Sequence, residues 1–150
     1  MGQIASTRGR SAGLPSGGLT SAYHCCYAPS VMRRMLIVED EPDALEMLVS
    51  WMQHQRGWEV RSAQTGRSAV ELSKTFKPDV VIADYLLQDE ITGVDVIAEV
   101  QSHQQPVRCI LVTGRLAKAL QDAQRINGVP ILTKPLDFRR LGRLLEEPPS

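Results

Sequence analysis

Two periods of apolar residues alternate along this chain from residue 35 onward. Short runs of consecutive apolar residues, such as "VVIA" at 80–83 within the segment 79–83, are typical of buried strands. Between these runs, apolar residues recur at helical spacing, as do Leu45, Leu48 and Met52. The pattern predicts strands at 35–38, 58–62, 79–83, 107–112 and 129–132, and helices at 42–55, 66–76, 93–103, 115–124 and 137–147. The helix at 115–124 carries Leu116, Ala119, Leu120 and Ala123 at helical spacing.

The alternation of apolar strands with helices predicts the fold class. Strands this apolar are typical of a parallel sheet that helices cover on both faces. Because crossover connections are right-handed, few topologies remain. We expect an α/β fold, a doubly wound five-stranded parallel sheet of order 2-1-3-4-5, which is the flavodoxin-like (βα)5 arrangement. In such a sheet, binding sites form at the carboxyl ends of strands 1 and 3, where the order reverses.

The first 34 residues differ from the rest of the chain. They are rich in Ser, Gly and Ala and show no sustained period, so we predict a disordered N-terminal tail at 1–34. The domain is predicted at 35–147, with a C-terminal tail at 148–150. "MGQIAS" matches a loose myristoylation pattern, and an acid-free tail with Arg and Ser can resemble a transit peptide. The alternative is an upstream extension, with Met32 or Met35 near the functional start.

Composition and charge exclude several classes of function. Residues 1–34 carry four arginines and no acidic residue, so the remaining residues have four more acidic than basic side chains. A mildly acidic domain argues against direct nucleic-acid binding. No apolar run approaches the ~18 residues of a membrane span. Cys25, Cys26 and Cys109 fit no zinc or redox spacing, and without a secretory signal they indicate a reducing cytoplasm.

Polar side chains collect at the carboxyl ends of four predicted strands. Glu39 and Asp40 follow strand 1, Asp84 follows strand 3, Thr113 follows strand 4 and Lys134 follows strand 5. Each has an ordinary interpretation when taken alone: a solvated helix start for the acidic pair, a loop residue for Thr113 and a surface lysine for Lys134. Their occurrence at the same end of one sheet favours a functional site.

The residue types at this edge indicate phosphoryl chemistry. Crowded carboxylates repel one another, and a hard divalent cation relieves that repulsion. Mg²⁺ suits the set because it takes oxygen ligands and keeps bound waters. A carboxylate, a cation, a hydroxyl and a lysine that converge can bind a phosphoryl group. The predicted reaction is phosphoryl transfer to Asp84 as nucleophile, which gives an acyl phosphate.

Four motifs carry a family resemblance. "MLIVEDEPDALEML", "PDVVIADYLL", "ILVTG" and "ILTKPL" resemble, in order and in element, the receiver domain of bacterial two-component response regulators, over residues 35 to about 146. The resemblance implies a role for each matching position: Asp84 as phosphoacceptor, Asp40 as direct Mg²⁺ ligand, Glu39 as partner acid acting through water, the backbone carbonyl of Leu86 as a further metal ligand, Thr113 as the hydroxyl that closes on the phosphoryl group, and Lys134 as the ion-pair lysine, with a cis bond before Pro135.

Three residues or segments bear on how such a receiver would work. Ile131 stands where the family often has Tyr or Phe, so signal readout through an aromatic flip is not expected. The loop "DYLLQDEITGVDVI" lacks the frequent Met-Pro, and its Thr92–Gly93 resembles receivers that work beside hybrid sensor kinases. Leu86 lies two residues after the acceptor and cannot position an attacking water by hydrogen bonding. It therefore predicts a long-lived phospho-Asp84.

The resemblance implies a stand-alone cytoplasmic receiver with no output domain, because nothing follows the last predicted helix. The implied partner is a sensor histidine kinase or a histidine phosphotransfer protein, with no membrane and no direct nucleic-acid contact. It would not be an enzyme beyond catalysing its own phosphorylation. A homodimer through the helix 4–strand 5–helix 5 face is a further expectation.

One alternative is a phosphorylation-independent interaction module, which Ile131 suggests. Another is an Asp-nucleophile phosphatase, disfavoured because Leu86 stands where a second acid is needed.

Overall fold

The computed structural model of this protein describes residues 32–147. Over these residues, strands and α-helices alternate in the order β1 Arg33–Val38, α1 Pro42–Gln53, β2 Trp58–Ala63, α2 Gly66–Phe76, β3 Val80–Asp84, α3 Gly93–His103, β4 Arg108–Thr113, α4 Leu116–Asp122, β5 Ile131–Thr133 and α5 Phe138–Glu146. A 3-10 turn, Ala123–Arg125, follows α4 directly. Within this part of the chain, every helix is too short or too polar to cross a membrane.

The strands form one sheet in the order β2-β1-β3-β4-β5, with every neighbouring pair parallel. This confirms the predicted fold class and strand order. The register pairs Val38 with Ala83, and Asp84 with Val112. Thr113 in turn pairs with Thr133. The carboxyl ends of β1, β3, β4 and β5 therefore lie side by side along one edge, which is where the candidate residues were expected.

The sheet separates two hydrophobic clusters. Alternate residues of each strand face opposite sides, so Met35 and Ile37 belong to one cluster while Leu36 and Val38 belong to the other. Helices α1 and α5 cover the first face, and α2, α3 and α4 cover the second. Both faces of β3 are covered, and all five of its residues are buried. That burial explains why residues 80–83, "VVIA", are all apolar.

Strand β1 begins two residues before the predicted domain boundary at residue 35. Arg33 and Arg34 pair with Trp58 and Glu59 of β2. The guanidinium of Arg33 lies 4.2 Å from the centre of the Trp58 ring. Stacking of this kind lets a charged residue remain in a strand with its stem on apolar surface. Residues 1–31 and 148–150 lie outside the described part of the chain, so the predicted tails there stay predictions.

The apolar residues that recur at helical spacing in α4 do not all face the sheet. Leu116 and Leu120 are 43% and 51% exposed, whereas Ala119 is fully buried. The side facing the sheet instead carries Ala119, with Ala123 and Ile126 from the turn that follows. In this short helix, two adjacent faces both contain apolar residues at helical spacing. The small Ala119 side chain faces the sheet, and the two leucines point outward.

Candidate functional site

Asp84 is the last residue of β3 and is only 7% exposed. The hydrogen-bonded ladder on both sides fixes its backbone, since Ala83 pairs with β1 and Asp84 itself pairs with β4. Glu39 directly follows β1 and is also buried, while Asp40 beside it is partly exposed. The sheet therefore holds two buried carboxylates at the point where the strand order reverses.

Gly93 brings the start of α3 against the backbone of Asp84. The Gly93 N–H donates to the carbonyl oxygen of Tyr85 at 3.0 Å. A Cβ at this position would lie 2.8 Å from the carbonyl carbon of Asp84, closer than packed atoms tolerate. The site thus requires a residue without a side chain here. The sequence reasoning noted Thr92–Gly93 but did not foresee this contact, because the two backbones meet only in the folded chain.

Lys134 bridges the two buried carboxylates. Its Nζ lies 2.8 Å from Asp84 Oδ2 and 3.0 Å from Glu39 Oε2. The second oxygen of Glu39, Oε1, accepts a hydrogen bond from the Glu41 N–H at 3.2 Å. Lys134 therefore forms ion pairs with both buried carboxylates. The peptide bond between Lys134 and Pro135 is cis.

The protonation of the site follows from this crowding. Burial raises the pKa of Glu39, the nearby Asp84 charge raises it further, and the hydrogen bond from Lys134 opposes both. Burial disfavours the charged form of Lys134, but its hydrogen bonds to Asp84 and Glu39 outweigh that cost and raise the pKa of its amine. Lys134 thus stays a cation near neutral pH.

The carboxylates fit a hard divalent cation. Glu39, Asp40 and Asp84 each offer an oxygen, and these oxygens all lie within 4.8 Å of one another. An all-oxygen set with a partly exposed member suits Mg²⁺, which keeps several waters. The structure therefore brings together all three predicted carboxylate ligands.

Thr113 and Leu86 stand at the edge of this cluster. Thr113 ends β4 and is 1% exposed, and its hydroxyl oxygen accepts a hydrogen bond from the Arg115 N–H at 2.8 Å. Its predicted role toward a phosphoryl group stays a prediction. Leu86 follows the acceptor strand with its side chain largely exposed. The role of its carbonyl as a metal ligand likewise stays a prediction.

Comparison with known proteins places this arrangement in a family. Residues 35–146 match the family model described as the response regulator receiver domain. The chain belongs to this family. The match covers β1 from its third residue through α5, so it includes every element that supplies a site residue. The recognition made from the four motifs is confirmed.

Curated relatives of this receiver are longer proteins. It is 32% identical to the probable transcriptional regulatory protein TcrX of Mycobacterium tuberculosis over 112 residues, which are 71% of this chain and 45% of TcrX. It is 30% identical to the regulatory protein AtoC of Escherichia coli over 118 residues, which are 78% of this chain and 25% of AtoC. The chain therefore spans less than half the length of these relatives.

Solved receivers share the fold. TrrA of Thermotoga maritima, solved in complex with Mg²⁺-BeF, superposes with a TM-score of 0.67 at 25% identity and covers 77% of this chain and 97% of that chain. The receiver domain of a putative LuxO repressor from Vibrio parahaemolyticus superposes with a TM-score of 0.62 at 27% identity, over 75% and 86% of the two chains. This likeness agrees with the topology found here for the receiver.

Two contacts beside the receiver's site were not foreseen. Asp89, in the loop after β3, accepts hydrogen bonds at 2.9 Å from the N–H groups of Gly66 and Arg67 and so caps α2. The Tyr85 hydroxyl donates to Asp122 at 2.5 Å, and this bond, with burial, raises the pKa of Tyr85 to about 12. Partners 23 and 37 residues apart leave no local signal in the sequence.

Proposed function

We propose that this receiver domain accepts a phosphoryl group on Asp84 from a phosphorylated histidine, in the presence of Mg²⁺. The observation that carries the proposal is the Lys134 bridge, which holds Asp84 Oδ2 at 2.8 Å. That bond fixes the orientation of the carboxylate and leaves Oδ1 as the oxygen that the lysine does not hold. A buried, oriented carboxylate with one such oxygen is suited to act as a nucleophile.

In the proposed step, a carboxylate oxygen of Asp84 forms a bond to phosphorus. The bond between phosphorus and the histidine nitrogen breaks, and its electron pair returns to the imidazole. Lys134 remains protonated and stabilises negative charge on the carboxylate and on the transferred group. Glu39, Asp40, Asp84 and the carbonyl of Leu86 would hold the Mg²⁺, which when bound neutralises phosphoryl charge. The Thr113 hydroxyl is the proposed donor to a phosphoryl oxygen.

The receiver would catalyse its own modification and would not turn over a separate substrate. Its donor is a sensor histidine kinase or a histidine phosphotransfer protein, whose phosphohistidine carries a suitable leaving group. The cytoplasmic location and the homodimer through α4, β5 and α5 remain predictions. The proposal therefore concerns the receiver domain alone.

Acetyl phosphate with Mg²⁺ tests the acceptor directly, with intact mass as the readout. The wild-type protein should gain the mass of one phosphoryl group, and Asp84→Asn should gain none. Glu99→Gln is the matched control, because Glu99 is an exposed acid on α3 and its loss should leave labelling unchanged. If chelation of Mg²⁺ leaves the labelling rate unaltered, the metal part of the proposal fails. If the wild type stays unlabelled by acetyl phosphate and by histidine kinases, the acceptor part fails.

Ile131 motivates a second candidate function, binding of a partner independently of phosphorylation. Ile131 of β5 is half-buried against the cluster that contains Ala119 and Ile126. This position of β5 therefore carries an aliphatic side chain in place of an aromatic one. The two functions differ in what Asp84→Asn does. An interaction module would bind its partner equally well with this substitution, whereas a phosphorylation-dependent receiver would lose the response to its donor.

A further inference from the structure

Tyr85, the residue directly after the proposed acceptor, reaches from the acceptor strand to α4. Its ring is 1% exposed and lies in the same hydrophobic cluster as Leu111, Ala119 and Ile126. Its hydroxyl donates to Asp122 Oδ2 at 2.5 Å, and Asp122 is the last residue of α4. A hydroxyl bonded to a carboxylate is among the stronger hydrogen bonds in proteins.

The backbone of Tyr85 is fixed with respect to Asp84. Its N–H donates to the Val112 carbonyl of β4 at 2.8 Å, and its carbonyl accepts from the Gly93 N–H at 3.0 Å. The two peptide units that flank the Cα of Tyr85 are thus held by β4 on one side and by α3 on the other. The Tyr85 ring and its hydroxyl therefore keep a fixed position relative to Asp84 and the acceptor strand.

Helix α4 is otherwise lightly held. It is seven residues long, its N-terminus has no side-chain cap, and Ala119 is its one buried residue. At its N-terminal end, two residues, Gly114 and Arg115, connect Thr113 of β4 to α4. At its C-terminal end, besides the Tyr85 bond, the following turn is joined to α3 by an Arg125–Asp95 ion pair of 2.7 Å whose side chains are 59% and 34% exposed. Exposed pairs of this kind add little.

We propose that Tyr85 is a positioning residue that couples α4 to the acceptor strand by anchoring the C-terminal end of the helix through Asp122. The inference rests on the proposed function of Asp84 and names how its modification is transmitted. Thr113 controls the N-terminal end of α4 through the chain, and Tyr85 holds the C-terminal end. Movement at Thr113 would then turn the helix about the Tyr85–Asp122 bond and displace the exposed Leu116 and Leu120. The aromatic link to α4 in this chain thus comes from β3, with Ile131 beside it.

Hydrogen exchange of α4 in the unphosphorylated full chain tests the bond itself. Tyr85→Phe removes only the hydroxyl, and Asp122→Ala removes the acceptor. Each should lower the protection of amides at 116–125 by about three- to tenfold, the loss expected for one such bond. The double variant should lose no more than either single variant, because both remove the same interaction.

Two matched variants separate the bond from ordinary helix propensity. Alanine favours helix over aspartate, and an acid at a helix C-terminus is unfavourable, so Asp122→Ala should strengthen an untethered α4. Gln121→Ala, at the exposed neighbouring position, should therefore leave protection equal or higher. Asp122→Asn keeps an oxygen acceptor and should recover most of the protection. Additive losses in the double variant, or equal losses in Gln121→Ala, would overturn the tether.

The coupling is tested by comparing exchange before and after labelling with acetyl phosphate and Mg²⁺. In the wild type, labelling should change exchange at the N-terminal end of α4 more than at 122–125. The Tyr85→Phe variant should still be labelled at Asp84. In this variant, however, the change in hydrogen exchange should extend into residues 122–125. A Tyr85→Phe response identical to that of the wild type rejects the coupling and leaves the acceptor function standing. If the wild type is never labelled, the acceptor function fails, and the coupling to Asp84 falls with it.

Discussion

The amine of Lys134 lies 2.8 Å from Asp84 and 3.0 Å from Glu39, so one ammonium orients both buried carboxylates. Its pKa is raised because these two hydrogen bonds outweigh the cost of burial. A lysine held in this way is a fixed positive charge at the place where the proposed phosphoryl group would bind. Electrostatic stabilisation by a preorganised group is commonly the largest single contribution to such a reaction.

Replacing Lys134 should therefore slow phosphorylation more than it harms the fold. Lys134→Gln should reduce the rate of labelling by acetyl phosphate about 100-fold, since a preorganised charge is lost from the site. Intact mass followed over time gives the rate. Lys118→Gln, on the exposed side of α4, should label at the wild-type rate. Equal rates in both variants would show that the Lys134 bridge is structural only.

Leu86 should set the lifetime of the phosphorylated state. Its side chain is 42% exposed and offers no hydrogen bond to an attacking water. Leu86→Asn should speed hydrolysis of phospho-Asp84 about tenfold by orienting that water. The decay of the labelled mass after removal of acetyl phosphate measures it. Leu120→Asn, another exposed leucine, should decay as the wild type does, and a Leu86→Asn decay no faster than this control would refute the role.

Gly93 should be intolerant of even one added carbon. In Gly93→Ala the new Cβ would clash with the backbone of Asp84, which strand pairing holds in place. The free energy of unfolding should therefore fall by about 2 kcal/mol or more. Urea denaturation provides the value. Gly142→Ala in α5 is the matched control, because the nearest atom to its Cβ would be 3.8 Å away on Trp51. That change should stabilise the protein by about 0.5–1 kcal/mol through helix propensity.

Asp95 should make stability depend on pH. Burial opposes its charged form, but the N–H and hydroxyl of Thr92 and the guanidinium of Arg125 outweigh burial and lower the pKa of this carboxyl. A carboxyl whose pKa is lower in the folded state stabilises the fold above its unfolded pKa of about 3.9, and this is lost as the pH falls through the folded value.

Asp95→Asn keeps an oxygen for the Thr92 cap and removes the titration. Between about pH 6 and about pH 3, the wild type should lose more stability than this variant, by no more than about 1 kcal/mol because Asp95 is partly exposed. Denaturant titrations at both pH values measure the difference. Arg125→Gln removes the ion pair and leaves the cap, so its loss should be intermediate. Parallel losses in the wild type and Asp95→Asn would contradict the expectation.

The position of Asp84 could be predicted because a charge that ends an apolar run is unusual, and because parallel strands bring their carboxyl ends to one edge. The same logic placed Glu39 and Lys134 correctly beside it. The face of α4 could not be predicted in this way, since Leu116 and Ala119 fit the helical period equally well. Packing against the sheet decided between them, and it selected the smaller residue.

The bond between Tyr85 and Asp122 shows a different limit of sequence reasoning. Neither residue is unusual in its own segment, and 37 residues separate them. Their contact depends on how closely α4 approaches β3, which the buried Ala119 permits. Gly93 belongs to the same class, because its proximity to Asp84 follows from where the chain returns after the loop. The structural roles of such residues can be recognised only from the distances between atoms in the folded chain.

The two edges of the sheet also affect how copies of this domain meet one another. One edge, β5, exposes the hydrogen-bonding groups of only three residues, Ile131–Thr133. The other edge, β2, carries Glu59 and Arg61, whose side chains pair at 3.5 Å. Short or charged edges are poor templates for strand addition. We therefore expect copies of this domain at high local concentration to resist fibre-like pairing of their backbones. Contacts between copies would then be made by side-chain surfaces and can remain reversible.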